Sequence, residues 1–94
     1  MALIPVLVTT EKRGVVFGYT ENRDARPIIL VNARMCLYWS CEVGGVFGLT
    51  DIGPTSSCKI SAKTPQVILE FVTAVFDVSN DAVTAWEKAL VQGR

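Results

Sequence analysis

The residue types most able to do chemistry are concentrated between Asn32 and Lys59. This stretch holds all three cysteines and two cations whose chain neighbours are uncharged. Residues 53–59 read Gly-Pro-Thr-Ser-Ser-Cys-Lys, which is the composition of an anion-binding nest completed by a lysine. A guanidinium can grip phosphate in a fork while an aromatic ring stacks on a base. Together they predict a binding site for an anionic, nucleotide-like ligand, formed by Arg34, Tyr38, Trp39, Thr55, Ser56, Ser57 and Lys59.

The same residues have a simpler interpretation, which stays open. Gly-Pro-Thr-Ser is a common turn composition, in which hydroxyls bond their own backbone. Arg34 would then pair with Glu42 or Asp51, and Tyr38 and Trp39 would lie in the core or in a dimer interface. The segment is not a Walker P-loop, because the Gly-Lys-Ser/Thr ending is missing and no helix is expected after it.

Catalysis is disfavoured by what the composition leaves out. The chain has no histidine, so the commonest general base and the usual Ser–His and Cys–His pairs cannot be built. Its three cysteines, Cys36, Cys41 and Cys58, include no Cys-x-x-Cys pair and are interpreted as small half-buried apolar residues. The carboxylates are scattered. We therefore expect no enzyme, no cofactor and no metal site.

The totals indicate one small domain that associates with copies of itself. The 94 residues, taken as a single domain over 1–94, are 50% hydrophobic and 19% charged, against about 25% charged in ordinary soluble domains. Mean hydropathy is +0.37. A core this small cannot bury so many apolar side chains, which favours a homo-oligomer, most simply a twofold dimer. A monomer with an apolar surface is the alternative.

Charge and hydropathy also bear on location and partners. The formal net charge is zero, and nucleic-acid binders usually carry a basic excess, so nucleic acid is an unlikely partner. No apolar run has the length of a membrane span. The N-terminus lacks the basic segment and cleavage site of a signal peptide. These features predict a cytoplasmic protein.

The pattern along the chain predicts an α+β, mainly-β fold. Apolar β-branched runs indicate a hairpin of strands at 4–10 and 15–20, a charged loop over 21–26 and a further strand after Pro27. We expect that strand to continue through 33–40 with a kink or bulge near Ala33 and Arg34, and a short helical turn is the alternative for this segment. A turn and short strand over 43–49, an edge strand at 58–61 and a turn at 63–65 should follow. The run over 66–78 then indicates one long strand, bent near Thr73 and Ala74.

A C-terminal helix completes the predicted fold. It should run from about Asn80 to Val91, with Ser79 as its N-cap and Trp86 docking it on the sheet. The strands before it are expected to form a curled antiparallel sheet or small barrel of about five to six strands.

Four motifs make the chain resemble a family of small, uncharacterised phage and prophage proteins: Val-Thr-Thr-Glu-x-Arg-Gly-Val at 8–15, Asn-Ala-Arg-Met-x-x-Tyr-Trp at 32–39, Gly-Pro-Thr-Ser-x-x-Lys-Ile at 53–60, and Ala-Val-x-Ala-Trp-Glu at 82–87. The resemblance spans about residues 7–89. It implies a viral accessory protein acting in the bacterial cytoplasm of the host, with counter-defence as a typical role for small phage proteins. It transfers no residue chemistry.

Two functions are therefore expected from the sequence. The favoured one is sequestration of a phosphorylated, nucleotide-derived ligand by the residues named above. The alternative is inhibition of a bacterial defence or host protein by direct contact, with anchors at Tyr19, Tyr38, Trp39 and Phe47. A virion component is less favoured, because no extended arm or repeat is visible.

Overall fold

A computed structural model describes residues 3–11, 14–38, 45–55 and 58–89. In chain order the elements are β1 Ile4–Thr10, β2 Val15–Thr20, β3 Ile28–Tyr38, α1 Gly45–Asp51, β4 Lys59–Ile60, β5 Thr64–Leu69, β6 Val72–Asp77 and α2 Asn80–Lys88. The predicted mainly-β α+β class is confirmed. So are the first hairpin, the edge strand β4 and the helix after Ser79.

The six strands form one antiparallel sheet that curls without closing. The order is β4-β3-β2-β1-β6, and β5 also pairs with β3. Although β5 and β6 follow each other in the chain, they pair with different strands, β3 and β1. The sheet therefore wraps round between its two ends.

The long strand β3 serves two parts of the sheet because it is kinked. Its first half pairs with β5, from Ile28 opposite Leu69, and its last residues pair with β4. Between them the register against β2 shifts, and Asn32 has a φ of 52°. An extra residue on one strand bends it and reverses which side chains face inward. The kink predicted near Ala33 and Arg34 is confirmed.

The curled sheet is buried on two faces. One face packs against the helices through a cluster that includes Leu7, Phe17, Leu49 and Trp86. The other face is enclosed by the curl itself and consists of Val6, Val8, Val16, Ile28, Leu30 and Ala33. Alternation of side chains along β1 and β2 sends successive residues to the two clusters, which explains why these strands read as continuous apolar runs.

The short strand predicted over 43–49 is wrong, because residues 45–51 form α1. The Gly-rich composition of 43–49 indicates a turn followed by a short strand, and the Gly53-Pro54 pair indicates a turn. Gly53 instead ends α1: it has a φ of 79° and donates its N–H to the Gly48 carbonyl at 3.2 Å. Glycine after the last turn followed by proline is a helix stop signal, and the sequence contained it.

The single strand predicted over 66–78 is also wrong, since the run is divided into β5 and β6. The chain turns at Glu70 and Phe71, not near Thr73, and Phe71 adopts a φ of 56°. Its carbonyl accepts a hydrogen bond from Glu11 N at 3.1 Å, which fixes the corner against the end of β1. The turn expected at 63–65 gives way to the start of β5 at Thr64.

Helix α2 begins as its sequence predicts. The Ser79 hydroxyl accepts a hydrogen bond from Ala82 N at 3.1 Å, which satisfies one of the open N–H groups of the first turn. Trp86 is fully buried and stacks on Phe17 with ring centroids 5.1 Å apart. The indole therefore docks the helix on the sheet. The predicted helix end at Val91 lies outside the described residues.

Candidate functional site

Arg34, the central residue of the predicted anion site, lies inside the protein. Arg34 is 3% exposed to solvent. Its Nε donates to the Ser61 carbonyl at 3.1 Å, and its Nη1 donates to the Trp86 carbonyl at 2.7 Å. These are bonds to the chain itself. The guanidinium joins the end of α2 to the segment that follows β4.

The location of Arg34 follows from the needs of the helix end. The carbonyls of the last helical turn have no partner within the helix, and Trp86 belongs to that turn. A cation there also faces the negative end of the helix dipole. Burial lowers the pKa of Arg34 from its ordinary value, while the nearby Glu87 carboxylate raises it. Since a guanidinium ordinarily titrates far above neutral pH, Arg34 remains charged in this position.

Polar side chains continue around this helix end. Glu87 forms an ion pair with Lys63, with Oε1 and Nζ 3.2 Å apart. Burial raises the pKa of the Tyr19 phenol, and Glu87 raises it further. The sequence pattern had not associated Lys63 or Glu87 with Arg34, because they come from a predicted turn and from the far end of the chain. These side chains form a group of interacting charged and polar atoms beside Arg34, at the edge of the core.

The second predicted cation, Lys59, differs from Arg34 in its exposure to solvent. It lies on β4 and is exposed, whereas its neighbour Ile60 is buried opposite Cys36 in the helix-side cluster. Lys59 is the register partner of Tyr38, and the register between β3 and β4 shifts between this pair and the pair of Cys36 and Ile60. The Arg34 guanidinium is bonded to Ser61 and Trp86, whereas Lys59 forms no ion pair with any other described residue.

The remaining predicted site residues are placed only in part. Thr55 is half-buried, with its hydroxyl 3.7 Å from the Cys58 sulfur, and its carbonyl accepts from Cys58 N at 3.0 Å. The backbone of Tyr38 ends β3 opposite Lys59. The residues outside the described part of the chain are Trp39, Ser56 and Ser57.

Of the two alternative anchors whose side chains the structure describes, Tyr19 and Phe47, Phe47 is the one presented to solvent. It is 72% exposed on α1, and its ring stands edge-on to Phe76 with centroids 5.5 Å apart. Tyr19 is half-buried, with its ring edge-on to Phe17 at 5.4 Å. Phe71, at the corner between β5 and β6, is 69% exposed. Its exposure was not anticipated, because it was assigned to the middle of a strand.

The cysteines and acidic residues form no metal centre within ranges 3–11, 14–38, 45–55 and 58–89, where no three potential ligands come together. Cys36 is buried in the helix-side cluster and Cys58 packs against it. Cys41 lies outside these ranges. Neither described helix is long and apolar enough to cross a membrane.

Fold and site together define a small α+β domain in which an open, curled sheet is covered by two helices and the helix-side core is closed by a buried arginine. The chain belongs to the family described as "Domain of unknown function (DUF6948)", whose model matches residues 3–86. The expected membership of an uncharacterised family is confirmed. Comparison with curated proteins and with solved structures finds no match.

Proposed function

We propose that this protein is a non-enzymatic binding protein whose partner is another protein. The observation that carries the proposal is the exposed ring of Phe47. Aromatic residues are enriched at protein interfaces and among the residues that dominate their binding energy. The Phe76 ring restricts the conformations of Phe47 before binding, which reduces the entropy lost on association.

The helix that carries Phe47, α1, is also held in place by hydrogen bonds. The last four carbonyls of α1 are all bonded: Gly48 to two N–H groups that follow the helix, Leu49 to the Trp86 indole at 3.1 Å, and Thr50 and Asp51 to Ser79 at 2.9 and 2.5 Å. A short helix held in this way presents its side chains in a defined direction. The Phe47 ring is therefore suited to entering an apolar pocket of a partner.

The partner is proposed to be a different protein and not a second copy of this chain. Each of the two described hollows of the surface combines apolar and charged side chains: Glu21 lies with Ile29 and Val31 in one, and Arg26 and Glu70 lie with Pro27 and Phe71 in the other. A phenyl ring that entered either hollow would take charged side chains out of water, which favours a different protein as the partner. The resemblance to small phage proteins is our reason for proposing a bacterial host or defence protein as this partner, and counter-defence in the bacterial cytoplasm as the role.

Sequestration of an anionic, nucleotide-like ligand is the second candidate. It is favoured by Lys59, which is exposed and forms no ion pair with any other described residue. It is weakened by Arg34, whose buried guanidinium bonds to Ser61 and Trp86. A phosphate site here would have to use Lys59 and the 55–57 segment without the two-point contact of the Arg34 guanidinium.

The test uses two phenylalanines of similar exposure. A bacterial protein captured by the wild type is purified and its affinity measured for Phe47→Ser and Phe71→Ser. We expect at least a tenfold loss for Phe47→Ser and none for Phe71→Ser, because only Phe47 is the proposed anchor. Equal binding of all three proteins, or a loss confined to Phe71→Ser, would contradict the proposal.

The same samples separate the second candidate. Melting temperatures are recorded with nucleotides, cyclic dinucleotides and ADP-ribose derivatives, since a ligand that binds the folded state raises Tm by mass action. A rise of several degrees that is lost in Lys59→Ala would favour small-ligand sequestration. A change in oligomeric mass caused by Phe47→Ser alone would instead assign the ring to contacts between copies.

A further inference from the structure

A hollow lies between the β2–β3 loop and the outer face of β3 and β5. It encloses about 330 Å³ and is lined by Thr20, Glu21, Asn22, Ala25, Ile29, Val31 and Gln66. Its floor is apolar: Ile29 faces outward because its neighbours Ile28 and Leu30 are buried on the inner face. Val31 and Gln66 are register partners on β3 and β5. The volume lies at the lower end of the roughly 300–1,000 Å³ usual for small-ligand sites.

The rim of this hollow is held in place by its own bonds. The Thr20 hydroxyl accepts from Asn22 N at 3.2 Å and is 3.3 Å from the Asn22 carbonyl, to which it donates. Asn22 Oδ1 accepts from Asp24 N at 3.0 Å. Farther along, Arg23 pairs with Asp77 and ties the loop to β6. A site whose walls are already ordered loses little entropy when it binds.

The charge of the lining selects the ligand. Glu21 is its one ionisable side chain. Both arginines of the loop are directed elsewhere: Arg23 bonds to Asp77 and the Val75 carbonyl, and Arg26 bonds to the Arg23 and Ala25 carbonyls and lines the neighbouring hollow. An anion would meet the Glu21 carboxylate with no lining cation to balance it.

The remaining chemistry fits an ammonium group on an apolar stem. Lysine-type ammonium groups carry three donors and no acceptor, and the Glu21 carboxylate and Gln66 side-chain carbonyl are acceptors that no other described residue occupies. Ile29 and Val31 provide the surface along which an alkyl chain would lie. We propose that this hollow binds a primary alkylammonium group, supplied by a free amine or by a lysine side chain of a protein.

This proposal concerns a different surface from Phe47 and does not depend on the protein-binding function. The probes are cadaverine, the lysine mimic Nα-acetyl-lysine methylamide, and pentanoate as an anion of similar length. Backbone amide shifts of Ile29 and Gln66 are followed by NMR in the wild type, in Glu21→Gln and in Glu70→Gln. Glu70 serves as the matched control because it is an exposed carboxylate that lines the neighbouring hollow.

We expect saturable shifts with an amine at a Kd on the order of a millimolar, because an exposed ion pair contributes little. Glu21→Gln should weaken amine binding at least fivefold. The control variant Glu70→Gln should bind the amine as tightly as the wild type does. Pentanoate should not bind. Tighter binding of cadaverine identifies a free amine, and tighter binding of the mimic identifies a protein lysine. Absence of amine binding, equal affinity of Glu21→Gln, or binding of pentanoate would overturn the assignment.

Discussion

At the scale of single residues, Arg34 is defined by what it bonds to inside the protein. A buried charge is tolerated only when its donors are satisfied, and two of them reach carbonyls that lie 27 and 52 residues away in the chain. Removing the side chain leaves those carbonyls without these partners. The residue thus has a structural role in stabilising the end of α2, whichever ligand or partner the surface binds.

Arg34→Met tests that role with Arg26→Met as its control. Arg26 also donates to two carbonyls, at 3.0 and 2.7 Å, but on the exposed loop. We expect Arg34→Met to lower the free energy of unfolding by about 3 kcal/mol, since two charge-assisted bonds are lost, a buried one to Trp86 and a part-buried one to Ser61. Arg26→Met should cost under about 0.5 kcal/mol, as surface changes usually do. Urea denaturation measures both, and equal losses would contradict a structural role specific to Arg34.

At the scale of elements, α1 exists because α2 completes it. Helices shorter than about twelve residues are marginal on their own, and α1 has seven. Ser79 and Trp86 supply the donors that its final carbonyls need, while Gly53 lets the chain leave α1 against the side of α2. A Cβ at Gly53 would lie 2.7 Å from Ala85 Cβ and 2.9 Å from the Ala82 carbonyl oxygen.

Gly53→Ala should therefore separate the two helices. We expect a loss of about 3 kcal/mol in unfolding free energy, combining the left-handed backbone with a clash against fixed helix atoms. Gly14→Ala is the control: its Cβ would meet Thr10 Oγ1 at 2.7 Å, a side-chain atom that can rotate away. Thermal unfolding should show a much smaller loss for Gly14→Ala, and similar losses would refute the close-packing explanation.

At the scale of the whole molecule, the open sheet leaves β6 at one end of the strand order. An uncovered edge strand offers backbone groups to other chains, and proteins protect such edges with charged side chains. Arg23 fits that description. Its Nη2 donates to the Val75 carbonyl of β6 at 3.4 Å while Nη1 pairs with Asp77.

Arg23→Ala should increase self-association, because the β6 edge loses this cover. Sedimentation over a concentration series is the measurement, with Arg26→Ala as a control that removes an equal charge from the same loop. We expect a larger weight-average mass for Arg23→Ala only. Identical behaviour of the two variants would show that Arg23 does not guard the edge. The wild-type series also tests the homo-oligomer that the apolar composition predicts.

The sequence by itself determined the features that depend on near neighbours. The hairpin of β1 and β2 follows from two β-branched runs around a charged turn, and α2 from a serine cap and an apolar face centred on Trp86. These signals act within a few residues, so they can be recognised from one chain.

Only the tertiary structure decided the rest, because it depends on contacts between residues far apart in the chain. It made 45–51 a helix by supplying partners from Ser79 and Trp86, divided the valine-rich run at Phe71, and buried Arg34 while leaving Phe47 exposed. Composition shows that a chain has cations and aromatic rings to use. Whether each one faces a carbonyl, a core or a partner is set by the curl of the sheet and the docking of the helices.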